Sequence, residues 1–194
     1  MEQAKEFQLY RIAENQAGYF TLAQAREIDL RRNQIYRDVK RNRFERAASG
    51  VYRFVQFPAS RFEEIHVAVL SAGEDAVVGY ETALYVYDLS DLIPDEIHLV
   101  LPRASSRRRP DIRMHTNQLD ADDVTTWEGL PITTVARTIC DVARTHHALE
   151  QVELAIRQAL RRGMTTREEL TQQTERLPAN IRQELFSILE AVEE

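Results

Sequence analysis

The chain has 194 residues, 43% of them hydrophobic and 29% charged, with a formal charge of −6 at pH 7. That is ordinary globular composition, so disorder is not the default, and no apolar run approaches the roughly 18 residues of a membrane span. A single cysteine, Cys140, excludes an internal disulfide and lacks partners at zinc-ligand spacing, and the N-terminus is charged from residue 2, so the chain reads as soluble and cytoplasmic.

In chain order, EQAKEFQLYRIAENQ at residues 2–16 sets Phe7, Tyr10, Ile12 and Ala13 near helical spacing. Gly18 follows where a left-handed residue is cheap, so the helix is expected to end in AGYF. Thr21 is placed to cap a short second helix whose Leu22, Ala25 and Ile28 share a face. A third helix is expected over about 32–42, with Leu30, Ile35 and Val39 on its buried side and Asn42 tolerating the left-handed conformation at its end. RFERAASGVYRF then reads as two short strands, Phe44–Arg46 and Val51–Phe54, around a turn carrying Ser49 and Gly50.

Three helices followed by a hairpin is the plan of a winged helix-turn-helix, whose third helix enters the DNA major groove. With Ile35 and Val39 inward, the 3.6-residue period sends Asn33, Gln34, Arg37, Lys40 and Arg41 outward and leaves Tyr36 at the edge. Amides suit adenine edges, arginines suit guanine or phosphate, and an aromatic suits sugar or methyl groups. Residues 30–54 carry eight basic side chains, Arg31, Arg32, Arg37, Lys40, Arg41, Arg43, Arg46 and Arg53, against Asp38 and Glu45 alone. Arg43, Arg46 and Arg53 would place charge on the wing. A solvated basic helix would show the same charge run, and its coincidence with the helix-turn-helix pattern is what favours DNA.

QFPASRF, residues 56–62, reads as a boundary, giving a DNA-binding domain over 1–57 and a second domain over 62–194. Residues 1–57 hold 11 basic and 7 acidic groups, and residues 58–194 hold 14 and 24. Such asymmetry points to two domains facing different partners. The second opens with an amphipathic helix from Phe62, bearing Ile65, Val67, Ala68, Val69 and Leu70, and GYETALYVYDL is a further helix. EIHLVLP, 96–102, reads as a strand that DIRMH, 111–115, could pair with across an arginine loop. Helices are expected near 134–145, 148–162, 166–175 and 179–192. The fold class is therefore α+β: a winged helix-turn-helix followed by an α/β domain with a helical C-terminal tail.

FTLAQAREIDLRRNQIYRDVKRNRFERAASGVYRF resembles the winged-helix domain of AbiEi-family antitoxins. VVGYETALYVYDLSDLIPDEIHLVLP and GLPITTVARTICDVA resemble their second domain, so that the likeness spans about residues 15–145. The resemblance implies a bacterial type IV antitoxin that represses its own operon and counteracts a nucleotidyltransferase-like toxin encoded beside it. It also implies operator DNA in inverted repeats, bound cooperatively by more than one copy, and no enzymatic activity. Two positions depart from the family pattern. Arg31 stands where a small capping residue is usual, leaving Asn33 as an alternative cap, and Asn42 stands where glycine is common.

Other chemistry has less support in the residues. RRPDIRMH and IPDEIHLV each place Pro-Asp beside a strand, as metal-dependent nucleases do, but both lysines, Lys5 and Lys40, lie in the N-terminal domain. His98 and His115 are placed to face each other across paired strands, either as a metal pair or as half-buried polar residues; His146 and His147 are adjacent. No metal or other cofactor is expected. Arg137 and Asp141, four apart, suit an intrahelical ion pair or a buried polar framework. Arg103, Arg107, Arg108 and Arg109 could extend the DNA surface, meet the toxin, or form a surface turn. Residues 62–102 contain nine acidic groups and no Lys or Arg, and are expected to face protein or solvent rather than phosphates. A stand-alone winged-helix transcription factor with an effector or oligomerisation domain is the other reading of the same plan.

Overall fold

The structure, a computed structural model, describes residues 2–89, 91, 93–102, 111–145 and 149–192. The arginines at 103, 107, 108 and 109 and the histidines at 146 and 147 lie outside the described residues. Contacts divide the chain into two units, Met1–Ala76 with Thr126–Leu130, and Val77–Thr125 with Pro131–Glu194.

In the first unit, helix α1 (Glu2–Glu14) buries Leu9 and Ala13, while Phe7 is 66% exposed. The helix stops as its sequence suggests. The Gly18 N–H donates to the Ala13 carbonyl at 2.7 Å with φ +92, and a Cβ there would meet the Phe57 side chain at 2.6 Å. The next element is a strand, β1 (Tyr19–Thr21), which local pattern does not reveal because three residues carry no readable alternation. Thr21 and Gln24 form a capping box on α2 (Leu22–Glu27), as Thr21 Oγ1 accepts from the Gln24 N–H and Gln24 Oε1 from the Thr21 N–H. Helix α3 (Arg32–Lys40) and strands β2 (Phe44–Ala48) and β3 (Val51–Phe54) complete the expected plan.

The three strands are antiparallel in the order β1-β3-β2, so β3 is central. Its Tyr52 and Phe54 join Phe20 and Phe44 against Leu9, Ala25, Leu30 and Ile35 of the helical layer. Edge-to-face pairs at 5.0 Å (Phe20–Phe44) and 4.7 Å (Phe44–Phe54) hold that face, each worth roughly 0.5–1.5 kcal/mol beyond burial. Helix α4 (Glu63–Ala72) contacts all three strands and buries Ile65, His66, Ala68 and Val69. The His66 ring stacks on Tyr19 at 5.3 Å. The boundary read at QFPASRF therefore does not separate the units by contact: α4 belongs with the winged helix, and the division falls at Ala76.

The second unit starts with β4 (Val77–Val78) and α5 (Tyr80–Val86). Strands β5 (Ile97–Leu101), β6 (Ile112–Thr116), β7 (Val124–Trp127) and β8 (Leu130–Thr133) give a five-stranded sheet of order β6-β5-β4-β8-β7. β5 and β6 do pair, and their sense is parallel, Ile97 opposite Ile112 and Leu101 opposite Thr116. The tail is α6 (Val135–Ala143), α7 (Leu149–Arg161), α8 (Arg167–Glu175) and α9 (Ala179–Ala191), each within two residues of its expected bounds. Among the described residues no helix is long and apolar enough to cross a membrane.

The Arg137–Asp141 pair forms, and it is part of something larger. Arg137 Nε donates to Asp141 Oδ2 at 2.8 Å and its Nη1 to Asp123 Oδ2 at 2.7 Å. Asp123 Oδ1 accepts from Gln173 Nε2 at 2.7 Å and Arg176 Nη1 at 3.1 Å. One carboxylate, 1% exposed, thus ties the 3-10 turn Ala121–Asp123 to α6 and α8. Burial acts to raise its pKa, but bonds from Gln173 and the Asp120 N–H, with Arg137 and Arg176 nearby, outweigh it and leave the group below the usual carboxylate range.

Breaking this buried set is expected to cost about 3–5 kcal/mol. Asp123→Asn should lower the urea midpoint accordingly, whereas the exposed Asp120→Asn should stay within about 0.5 kcal/mol. His66 gives a pH signature. Burial pushes it down to about 4 from 6.5, so the folded state holds it neutral while the unfolded chain takes up the proton. Its contribution is complete above about 6.5 and is lost as pH falls toward 4. His66→Phe keeps a ring against Tyr19 and should remove about 1.4 kcal/mol per pH unit of slope in that window, read by denaturant melts across pH.

Candidate nucleic-acid interface

Helix α3 is set on the first unit by burial of Leu30 and Ile35, with Val39 half-buried. Asp29 at φ +58 turns the chain into it, and Asn42 at φ +58 ends it, its N–H donating to the Val39 carbonyl at 3.0 Å. Arginine has no acceptor with which to cap a helix. Gln34 supplies only the returning half of a capping box: its Oε1 accepts the Arg31 N–H at 2.8 Å. Gln34 is half-buried and engaged at the helix start, and Asn33 is exposed.

The outward face carries Arg31, Arg32, Asn33, Arg37, Lys40 and Arg41, with Tyr36 half-buried at its edge. Charge is not evenly available along it. Asp38 Oδ1 lies 3.9 Å from Arg41 Nη1 and 3.5 Å from Arg43 Nη1, and Arg43 also pairs with Glu6 of α1. The C-terminal end of α3 is thereby partly neutralised. Arg46 on the wing is exposed.

Arg53 corrects the expectation that it faces outward. Its side chain is 11% exposed, pairs with Glu45, and donates from Nη1 to the Phe57 carbonyl at 2.7 Å. The cause is register: Arg53 stands opposite Tyr19 and Glu45, on the face of β3 turned away from Tyr52 and Phe54, and that is where α4 packs. The arginine loop, Arg103 and Arg107–Arg109, lies outside the described residues.

The second unit gathers a separate polar cluster. His98 Nδ1 lies 3.3 Å from His115 Nε2 and 2.7 Å from Glu81 Oε2. Tyr80, at φ +53, stacks on His115 at 3.7 Å and accepts a bond from Asn117 at 2.6 Å. Burial, then His98 and Arg113, push His115 down to about 4 against the pull of Glu81, so it is a neutral ring near pH 7. The two histidines do face each other across the paired strands. Among the described residues no group of three or more His, Cys, Asp or Glu could hold a metal ion. The Pro-Asp carboxylates Asp95 and Asp111 are exposed, and neither lysine is in this unit. Cys140 is buried and its thiol is pushed up to about 12, the character of a packing residue. Of the acidic stretch, Glu74 and Asp75 lie in the first unit and Asp88 and Asp91 in the second, all four exposed.

Two family models match the chain. The model described as AbiEi antitoxin C-terminal domain covers residues 76–191, and that described as transcriptional regulator, AbiEi antitoxin, covers residues 8–55. No curated protein matches. Among solved structures, the RV2827C protein from Mycobacterium tuberculosis aligns with a TM-score of 0.55 at 12% identity, over 98% of this chain and 78% of that one. At that identity the likeness is one of fold.

Arg53 and Arg37 separate structure from surface. Arg53→Met strands Glu45 and a carbonyl and should lower unfolding free energy by about 1–3 kcal/mol. Arg37→Ala, on an exposed helix face, should stay within about 0.5 kcal/mol. Equilibrium urea unfolding of both variants checks the assignment.

Proposed function

Because the chain belongs to the AbiEi antitoxin family, we propose that its first unit reads double-stranded DNA to repress its own operon and that its second unit counteracts a nucleotidyltransferase-like toxin. Membership supports a DNA-binding antitoxin, and the observation that carries the DNA half is the exposed basic and amide face of α3. Phosphate contacts need only positive charge at reach, and here the arginines and Lys40 surround Asn33 and Arg37, which suit base edges. The chain as a whole is acidic, yet residues 1–57 hold 11 basic and 7 acidic groups, so attraction to DNA is concentrated in that segment. Inverted-repeat operators and cooperative binding of several copies belong to the same proposal, as does the absence of catalysis. The acidic surface of the second unit, with Asp88 and Asp91 exposed, suits a basic protein partner better than nucleic acid.

The test is binding to the DNA upstream of its own gene, titrated with salt against unrelated duplex. Preference for that DNA is expected, with log K falling by about 0.9 per phosphate contacted for each decade of salt. Arg37→Ala should cost roughly 1–3 kcal/mol on the specific site alone, and Arg46→Ala should weaken both duplexes about equally. Equal affinity for the two duplexes would refute the repressor reading. Loss of toxin rescue in cells on reversing the exposed Asp88 and Asp91 to lysine, with DNA binding retained, is the expected sign of the second activity.

A further inference from the structure

Tyr36 stands where α3 meets the strand pair, and its hydroxyl oxygen is already occupied as an acceptor. Arg32 Nε, one turn back, donates to it at 2.6 Å. The Tyr52 hydroxyl is hydrogen-bonded to it as well. Tyr52 is 2% exposed, and the bond between the two raises Tyr52 and lowers Tyr36, the pattern of a Tyr52 hydroxyl that donates and a Tyr36 oxygen that accepts. A phenol hydroxyl accepts and donates. Engaged as an acceptor by both neighbours, Tyr36 keeps its own hydrogen to donate outside this pair.

The surroundings say what would receive it. Arg32 is exposed on the helix side, and Arg46, opposite Tyr52 in the strand register, is exposed on the wing side. Arg32 above all, with Tyr52 and Arg46, holds Tyr36 below the usual phenol range, which makes it a better donor. A donor hydrogen between two cations matches an anionic ligand that only accepts.

We propose that Arg32, Tyr36 and Arg46 form a clamp for one backbone phosphate of DNA at the junction of helix and wing. The clamp rests on the DNA-reading function proposed above and deepens it. The base-facing residues Asn33 and Arg37 lie on the same helix as two of its members, so gripping one phosphate fixes how far α3 enters the groove and which bases it meets. Tyr36 is then a positioning residue rather than a base reader. Gln34, bonded to the Arg31 N–H, holds the start of the helix that carries the clamp.

The experiment uses the full chain and duplexes from upstream of its own gene in which single phosphates are replaced, one at a time, by uncharged methylphosphonate. One position is expected to cost the wild type about tenfold, the size of one charge-assisted hydrogen bond. Tyr36→Phe should bind unmodified duplex about tenfold more weakly and lose little more at that position, and Arg46→Ala should map to the same phosphate. Because Tyr36→Phe leaves the Tyr52 hydroxyl stranded, Tyr36→Phe/Tyr52→Phe is measured beside it; this double variant removes the stranded group and should show the same insensitivity. Wild-type-like affinity in the Tyr36 variants, or losses that add to every methylphosphonate alike, would overturn the clamp while leaving DNA reading intact. A wild type that binds no duplex would overturn both.

Discussion

Strand β3 is buried on both faces, and most of the first unit's architecture depends on that constraint. One face, Tyr52 and Phe54, joins the aromatic layer under the helices, and the other, Val51 and Arg53, lies toward α4. Because side chains alternate along a strand, the register that puts Phe54 beside Phe44 also puts Arg53 beside Glu45 and Arg46 beside Tyr52. A charge on β3 is therefore withdrawn from the surface, and one on β2 is brought to the corner where Tyr36 sits. Slipping the pairing by one residue would exchange these roles and turn the aromatic side chains toward α4.

The charge distribution has the same logic. An acidic protein can bind DNA only if its positive groups are concentrated and its carboxylates are held elsewhere. On the first unit Asp38, Glu6 and Glu45 are engaged by Arg41, Arg43 and Arg53. These pairs neutralise arginines at one end of α3 and beneath the wing, and leave the exposed positive charge around Arg31, Arg32, Arg37, Lys40 and Arg46. The footprint is narrower than the count of basic residues in that stretch implies.

In the second unit a buried polar centre takes the place of an aromatic one. Asp123, Asp141, Arg137, Gln173 and Arg176 link a turn and two helices whose sequence positions span more than fifty residues. A carboxylate at 1% exposure is tolerable only because its two oxygens meet several donors. The His98–His115–Glu81 group differs, with His98 buried, His115 and Glu81 half-buried, and a strained Tyr80 stacked on His115.

Sequence alone determined the features that depend on neighbours a few residues away. The α3 face follows from the spacing of Leu30, Ile35 and Val39, the helix ends from Gly18 and Asn42, the start of α2 from Thr21, and the C-terminal helices from their apolar period. The Arg137–Asp141 pair was legible too, at one helical turn. Family membership was readable in framework motifs such as GLPITTVARTICD. Tertiary structure decided everything that needs a partner far along the chain. It made Tyr19–Thr21 a strand by pairing it with β3, assigned α4 to the winged helix, turned Arg53 inward, and made the β5–β6 pairing parallel. It also set Asp123 against Arg137 and Arg176, and Tyr36 against Tyr52. Short-range periodicity and capping act within a turn or two of chain, whereas the far face of a strand and the partner of a buried hydroxyl are fixed only when distant segments meet.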